Sequence, residues 1–161
     1  MFADKITARA KVRIRQERLD VNGVYQVVGE EEVSNLVTNT GRVQLHNFCY
    51  GTTARSNGFN YIGITNDATA PAATDTSLIG ELAVDGLGRA QGTVTLPTGT
   101  ASITEVLHTF NYVGVASQGV RKAALFNQVS GGVMNHEVLF STPRTLLTND
   151  NLVVTFLITL S

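Results

Sequence analysis

Residues 120–140, VRKAALFNQVSGGVMNHEVLF, constrain the fold more than any other stretch of the chain. Segments 120–128 and 133–140 read as two β-strands. Ser130-Gly131-Gly132 between them can take the positive φ values that a tight hairpin needs. In the first arm Ala123 and Leu125 fall on one face, and Ala124 and Phe126 on the other. A strand that is apolar on both faces belongs in the middle of a sheet and is covered from both sides. Arg121 and Lys122 stand at the start of this arm, where they are expected to reach solvent. In the return arm Met134, His136 and Val138 alternate with Val133, Asn135, Glu137 and Leu139.

Strand patterns recur on either side of this hairpin. Residues 6–17 alternate cleanly, with Ala8, Ala10, Val12 and Ile14 pointing one way and Arg9, Lys11, Arg13 and Arg15 the other. Val21-Asn22-Gly23-Val24 carries the Asn-Gly pair of a type I′ hairpin turn, and residues 25–28 would be the return strand. Residues 1–35 are thus a basic β-hairpin or arm, either part of the main sheet or projecting from it. Further strands are expected at 59–65, 89–96 and 102–112, the last with Val106, His108, Phe110 and Tyr112 on one face. The Pro97–Thr100 stretch and Thr142-Pro143 read as turns. Leu152, Val154, Phe156, Ile158 and Leu160 form the apolar face of a final strand, which should be built into the sheet. Residues 30–32, three glutamates, stand ahead of a helix expected at 40–50. Its stripe is Val37, Gly41, Leu45, Phe48 and Cys49; Thr38 or Thr40 can cap its start, and Gly51 occupies the C′ position. Residues 66–77, NDATAPAATDTS, form a loop of small residues, anchored at its far end by Leu78, Ile79 and Leu82. The fold expected is mainly β: an antiparallel sandwich or flattened barrel over residues 36–161, with one short α-helix and the N-terminal hairpin.

Several function classes find no footing. The three histidines, His46, His108 and His136, are scattered over different elements, and Cys49 is the only cysteine. No cysteine-based metal cluster and no disulfide within the chain can form. Asp67 and Asp75 lack the spacing of a calcium loop. No nucleophile elbow, phosphate-binding loop or zinc-protease motif is present, so neither catalytic residues nor cofactor or metal ligands are expected. The N-terminus carries charges where a signal peptide has its apolar core. The longest apolar run, at 152–160, is too short and too interrupted by Thr to span a membrane. The expectation is a protein made and assembled in a cytoplasm.

Net charge is −1 and unevenly spread. Residues 1–18 hold six Lys/Arg against Asp4 and Glu17, while the remainder holds six against eleven acids. The face of Arg9, Lys11, Arg13 and Arg15 has two readings. It is the solvated face or charged edge of a half-buried strand, or it docks on an acidic partner, for instance a neighbouring copy. Four cations with no aromatic among them make little case for nucleic acid.

One resemblance extends over residues 36–160. LVTNTGRVQLHNFCYG (36–51), YIGIT (61–65), TAPAATDTSLIGEL (69–82) with Arg89 following, the 120–140 hairpin and NLVVTFLITL (151–160) resemble a family of small tailed-bacteriophage virion proteins. Its most specific pieces are the 69–78 loop and the 120–132 hairpin. The chain departs from the family where the hairpin's first strand usually has an acid and this one has Lys122 or Ala123. It departs again where the last strand usually has Trp and this one has Phe156. The resemblance implies a virion structural protein that works as a symmetric oligomer, often a trimer, and performs no chemistry. Two positions follow from it: a capsid decoration, or cement, protein bound to the major capsid protein, or a tail or fibre-attachment component bound to tail or portal-proximal proteins. In the first, Arg9, Lys11, Arg13 and Arg15 would contact the shell or a neighbouring subunit.

Overall fold

The computed structural model describes residues 8–50, 58–96 and 103–160. Among these residues ten strands and one helix follow in order: β1 (Ala8–Leu19), β2 (Tyr25–Ser34), β3 (Leu36–Val37), α1 (Asn39–Tyr50), β4 (Tyr61–Thr65), β5 (Ala90–Gln91), β6 (Thr93–Thr95), β7 (Ile103–Asn111), β8 (Gln118–Phe126), β9 (Met134–Leu146) and β10 (Asn151–Leu160). They build two antiparallel sheets of five strands. Sheet A has the order β2-β1-β10-β7-β6 and sheet B the order β3-β9-β8-β4-β5. The chain is a β-sandwich. Between the sheets lie Val12, Ile14, Phe110, Val154 and Phe156 from sheet A and Ile62, Ile64, Ala123, Leu125 and Val138 from sheet B. Burying each of the larger side chains contributes about 1.5–3 kcal/mol.

The N-terminal hairpin belongs to the main sheet. β1 is paired on both sides, with β2 and with β10, and its Val12 and Ile14 are in the inter-sheet core. The turn differs from the expected type I′. Gly23 N–H donates to the Asp20 carbonyl and Asp20 N–H to the Val24 carbonyl. Only Gly23, at φ 75°, takes a positive φ there. This is a three-residue loop with a glycine bulge, and the Asp20 carboxylate fixes it by accepting from the Asn22 and Val24 amides.

Other differences follow from long-range pairing. Glu30, Glu31 and Glu32 are not a lead-in to the helix; they lie in β2 opposite Arg15, Ile14 and Arg13. The helix starts at Asn39, with Thr38 as its cap accepting from the Gly41 amide at 3.0 Å. Thr142 and Pro143 lie inside β9, not in a turn. The ladder between β8 and β9 is irregular there, and the Ser141 and Thr142 amides donate to the Glu31 carboxylate. A proline is tolerated where the ladder is already broken. The strand expected at 89–96 is two short strands in different sheets. At Gly92 the chain crosses from sheet B to sheet A so close to β7 that a Cβ would stand 2.9 Å from the Leu107 carbonyl. Ile79 is exposed, so Leu78 and Leu82 alone anchor the end of the 66–82 loop. The Pro97–Thr100 turn, the Gly51 cap and the side chains of His46, Phe48 and Cys49 lie outside the described residues.

β8 is covered on both sides, as its sequence requires. Val120, Ala123 and Leu125 face the inter-sheet core. Ala124 and Phe126 pack with Leu78 and Met134 in a second, smaller cluster on the outer side.

Candidate functional site

The cationic face comes first because the sequence singled it out. Arg9, Lys11, Arg13 and Arg15 point outward from sheet A. Across the hairpin, Lys11 Nζ is 2.8 Å from Glu32 Oε1 and Arg13 Nη2 is 3.5 Å from Glu32 Oε2. Arg15 Nε lies 2.9 Å from Glu17 Oε1. Arg9 stands opposite Thr159 of β10. The Lys11 ammonium, bonded to Glu32, holds that carboxyl below its ordinary value, with Arg13 adding to the effect. The acidic surface that three of the four cations meet is thus this chain's own. The stems of Arg13 and Arg15, with Leu107, Val153 and Thr155, line a shallow hollow of about 80 Å³. Long basic stems cover apolar surface while their heads stay in water, and Val153 and Thr155 are buried although they face outward.

The outer face of sheet B is built in the opposite way. Lys122 is 2% exposed, not at the solvent as its place in the strand suggests. Alternation alone puts Lys122 on the side of Ala124 and Phe126, and the bulge between Val120 and Lys122 is what brings Val120 to the core side with Ala123 and Leu125. There its Nζ meets Asp67 Oδ2 at 2.8 Å, Glu137 Oε1 at 2.9 Å and Thr69 Oγ1 at 3.1 Å. Burial alone would lower the Lys122 pKa; bonds to Asp67 and Glu137 outweigh it and hold the ammonium above its usual range. Lys122 therefore stays charged, with no lone pair to act as a nucleophile or base.

The two carboxylates around it are pushed in opposite directions. Asp67, bonded to Lys122 and Thr69, is lowered to about 2. Glu137 is raised: burial comes first, and Asp75 beside it adds to the effect against the pull of Lys122. Lys122 thus favours the ionised form of both carboxylates, while burial and Asp75 work against it at Glu137. A cleft of about 200 Å³ opens beside the pair, lined by Thr74, Asp75, Thr76, Ser77 and Ile79.

A second clamp stands at the other end of the same loop. Arg89 grips Glu81 in a two-pronged pair at 2.6 and 2.5 Å. Its Nη1 donates to the carbonyls of Gln128 and Gly131 at the hairpin turn, and its guanidinium lies 3.4 Å over the Phe126 ring. Thr65 Oγ1 donates to the Ile79 and Gly80 carbonyls. Together these contacts pin residues 66–89 across β4, β8 and β9.

His108 and His136 are packed side chains. His108 stands edge-on to Phe110 at 4.6 Å, and burial lowers its pKa. His136 is fully buried in β9 beside Phe156, and burial pushes its pKa down to about 4. Among the described residues no three His, Cys, Asp or Glu side chains are grouped so as to hold a metal ion, and no helix is long and apolar enough to cross a membrane. Sequence reasoning missed Lys122, Glu137 and the structural role of Arg89. The one available signal was a lysine inside a strand that is otherwise apolar on both faces. No protein-family model matches the chain, and no curated protein sequence matches it.

Proposed function

We propose that this chain is a structural protein of a bacteriophage virion, and within the virion a capsid decoration protein that binds and stabilises the head shell. One observation carries the reading. The two segments in which the resemblance is most specific, the 69–78 loop and the 120–132 hairpin, are distant in sequence yet meet as one packed unit. Lys122 joins the hairpin to Asp67 and Thr69 at the entry to the loop, and Arg89 ties the loop's exit to the hairpin turn. That the motifs share one three-dimensional unit supports reading the resemblance as one of fold. A rigid sandwich with a pinned outer loop also suits a cementing role, which adds buried area across shell subunits so that rupture must break more contacts.

In this reading the outer face of sheet A, with Arg9, Lys11, Arg13 and Arg15, meets the major capsid protein. Its charges are largely paired within the chain, so the face is recognised as a pattern of both signs and not as a block of positive charge.

Copy number in purified particles tests the proposal. A decoration protein should be present in hundreds of copies, near one-to-one with the major shell protein. A dozen copies or fewer would assign the chain to the tail or fibre attachment instead. Absence from particles altogether would overturn both positions.

A further inference from the structure

We infer that one end of the sandwich is a self-association surface, where the β1–β2 hairpin tip of one copy is covered by the loops at the same end of a second copy. The inference adds a surface to the reading above and does not need a virion as its setting.

Exposed apolar side chains are unevenly distributed. Among the described residues sixteen large ones are exposed, and ten of them lie at this end. Six are on the hairpin: Leu19, Val21, Val24, Tyr25, Val27 and Val28. β10 pairs with β1 only as far as Glu17, so the tip extends past its neighbour. Residues 25–28 are exposed one after another, on both faces of the strand. The other four, Val84, Val113, Val115 and Leu147, form a shelf of loops joined by hydrogen bonds. Val113 N–H donates to the Asp85 carbonyl, Asn149 N–H to the Tyr112 carbonyl, and Thr148 Oγ1 to the Gly114 carbonyl. Val21 and Val115 are as exposed as isolated residues, at 101% and 99%.

Finger and shelf are held rigidly together at the root. Buried Asp150 takes both prongs of Arg18, at 2.9 and 2.7 Å, together with Gln16 Nε2 and the Leu147 amide. A preorganised surface loses little freedom on binding. The same bonds occupy the tip's ionic groups, since Arg18 is held by Asp150 and Asp20 by its own turn. Much of what remains exposed is apolar and calls for an apolar cover. The ten side chains expose on the order of 500 Å², at the side-chain areas implied by apolar transfer. That approaches the roughly 800 Å² that each partner contributes to a standard interface. A finger that is apolar on both faces can rest one face toward its own body, and it needs a second body for the other. The shelf supplies a matching surface on every copy.

The contact is between side chains and is closed. A bulge between the Gln16–Gly29 and Glu17–Val27 pairs interrupts the β2 edge at Val28. Bulges at an edge resist open-ended strand addition. The other three sheet edges, β3, β5 and β6, are only two or three residues long.

Sedimentation of the full chain over a range of concentrations tests this, with three variants whose folding is checked by thermal melts. The wild type should sediment as one discrete oligomer. Val21→Asp and Val115→Asp should each weaken association at least tenfold, whereas Leu96→Asp, at an exposed apolar position elsewhere, should leave it unchanged. Mixing Val21→Cys with Val115→Cys chains should give disulfide-linked pairs of one of each. A wild type that is monomeric throughout would overturn the inference. So would an oligomer indifferent to both Asp variants. Either result leaves the virion reading to be decided by copy number.

Discussion

The two sheets carry ion pairs on both outer faces, and the pairs differ in surroundings. On sheet A, Lys11 and Glu32 stand in water with side chains 62% and 36% exposed. On sheet B, Lys122 and Glu137 are at 2% and 1% under a loop. Exposed pairs are screened and must order two long side chains, so they contribute little. A pair under a loop has lost its water, and removing one member leaves the other charge stranded. Sheet A's charges therefore belong to the surface and are free to evolve with a partner. Sheet B's charges hold the fold, because they are what attaches a periodicity-free loop to an otherwise apolar strand pair.

Urea unfolding of Lys122→Met should show the largest effect, a loss of about 3–5 kcal/mol. Adding Glu137→Leu and Asp67→Asn should recover much of it, since no buried charge is then unpaired. A loss below about 1 kcal/mol would erase the contrast between the faces. Next comes His136, which lies between the sheets and not on either outer face. Its pKa is about 4 in the fold and 6.5 as the ordinary value. The neutral ring is favoured by folding, so its contribution is complete above pH 6.5 and is lost as pH falls toward 4. The drop is about 3 kcal/mol. His136→Phe should flatten that part of the stability profile, while His108→Phe, at a partly exposed site, should flatten it less.

Arg89→Lys should cost about 1–2 kcal/mol, because an ammonium cannot keep the two-pronged grip on Glu81, the hairpin carbonyls and the Phe126 face together. Limited proteolysis within 66–89 should quicken in parallel. The smallest effect belongs to sheet A. A double-mutant cycle of Lys11→Ala and Glu32→Ala should give a coupling below about 1 kcal/mol that fades in high salt. A larger, salt-resistant coupling would mean that this face is structural after all.

The same contrast explains what could be read in the sequence. Strands whose partners are signalled by alternation, such as 120–140 and 151–160, were legible, as was the helix, with Thr38 one of its two candidate caps. Sheet A's pairs were within reach but were not drawn. With the turn at 20–24, unbroken antiparallel pairing sets Arg13 against Glu31 and Arg15 against Gly29, and the bulge at Val28 moves them by one residue onto Glu32 and Glu30. A run of three glutamates looks instead like the start of a helix when read locally. Sheet B's pairs were out of reach. Alternation puts Lys122 on the face of Ala124 and Phe126, but the loop that covers this face has no period to place it. Gly92 likewise looked like the interior of one strand, because a crossing between sheets depends on how closely β7 approaches.

The central pairing of sheet A has a consequence for how the molecule is made. β1 lies at residues 8–19 and β10 at 151–160, yet they are neighbours through ten residue pairs. During synthesis the β1–β2 hairpin can form early, but the other edge of β1 has no partner until β10 has left the ribosome. Such a topology folds late and all at once, since a long loop must close before its contacts form. For most of its birth the nascent chain carries a half-dressed strand, and chaperones that mask bare strands would decide how many copies fold.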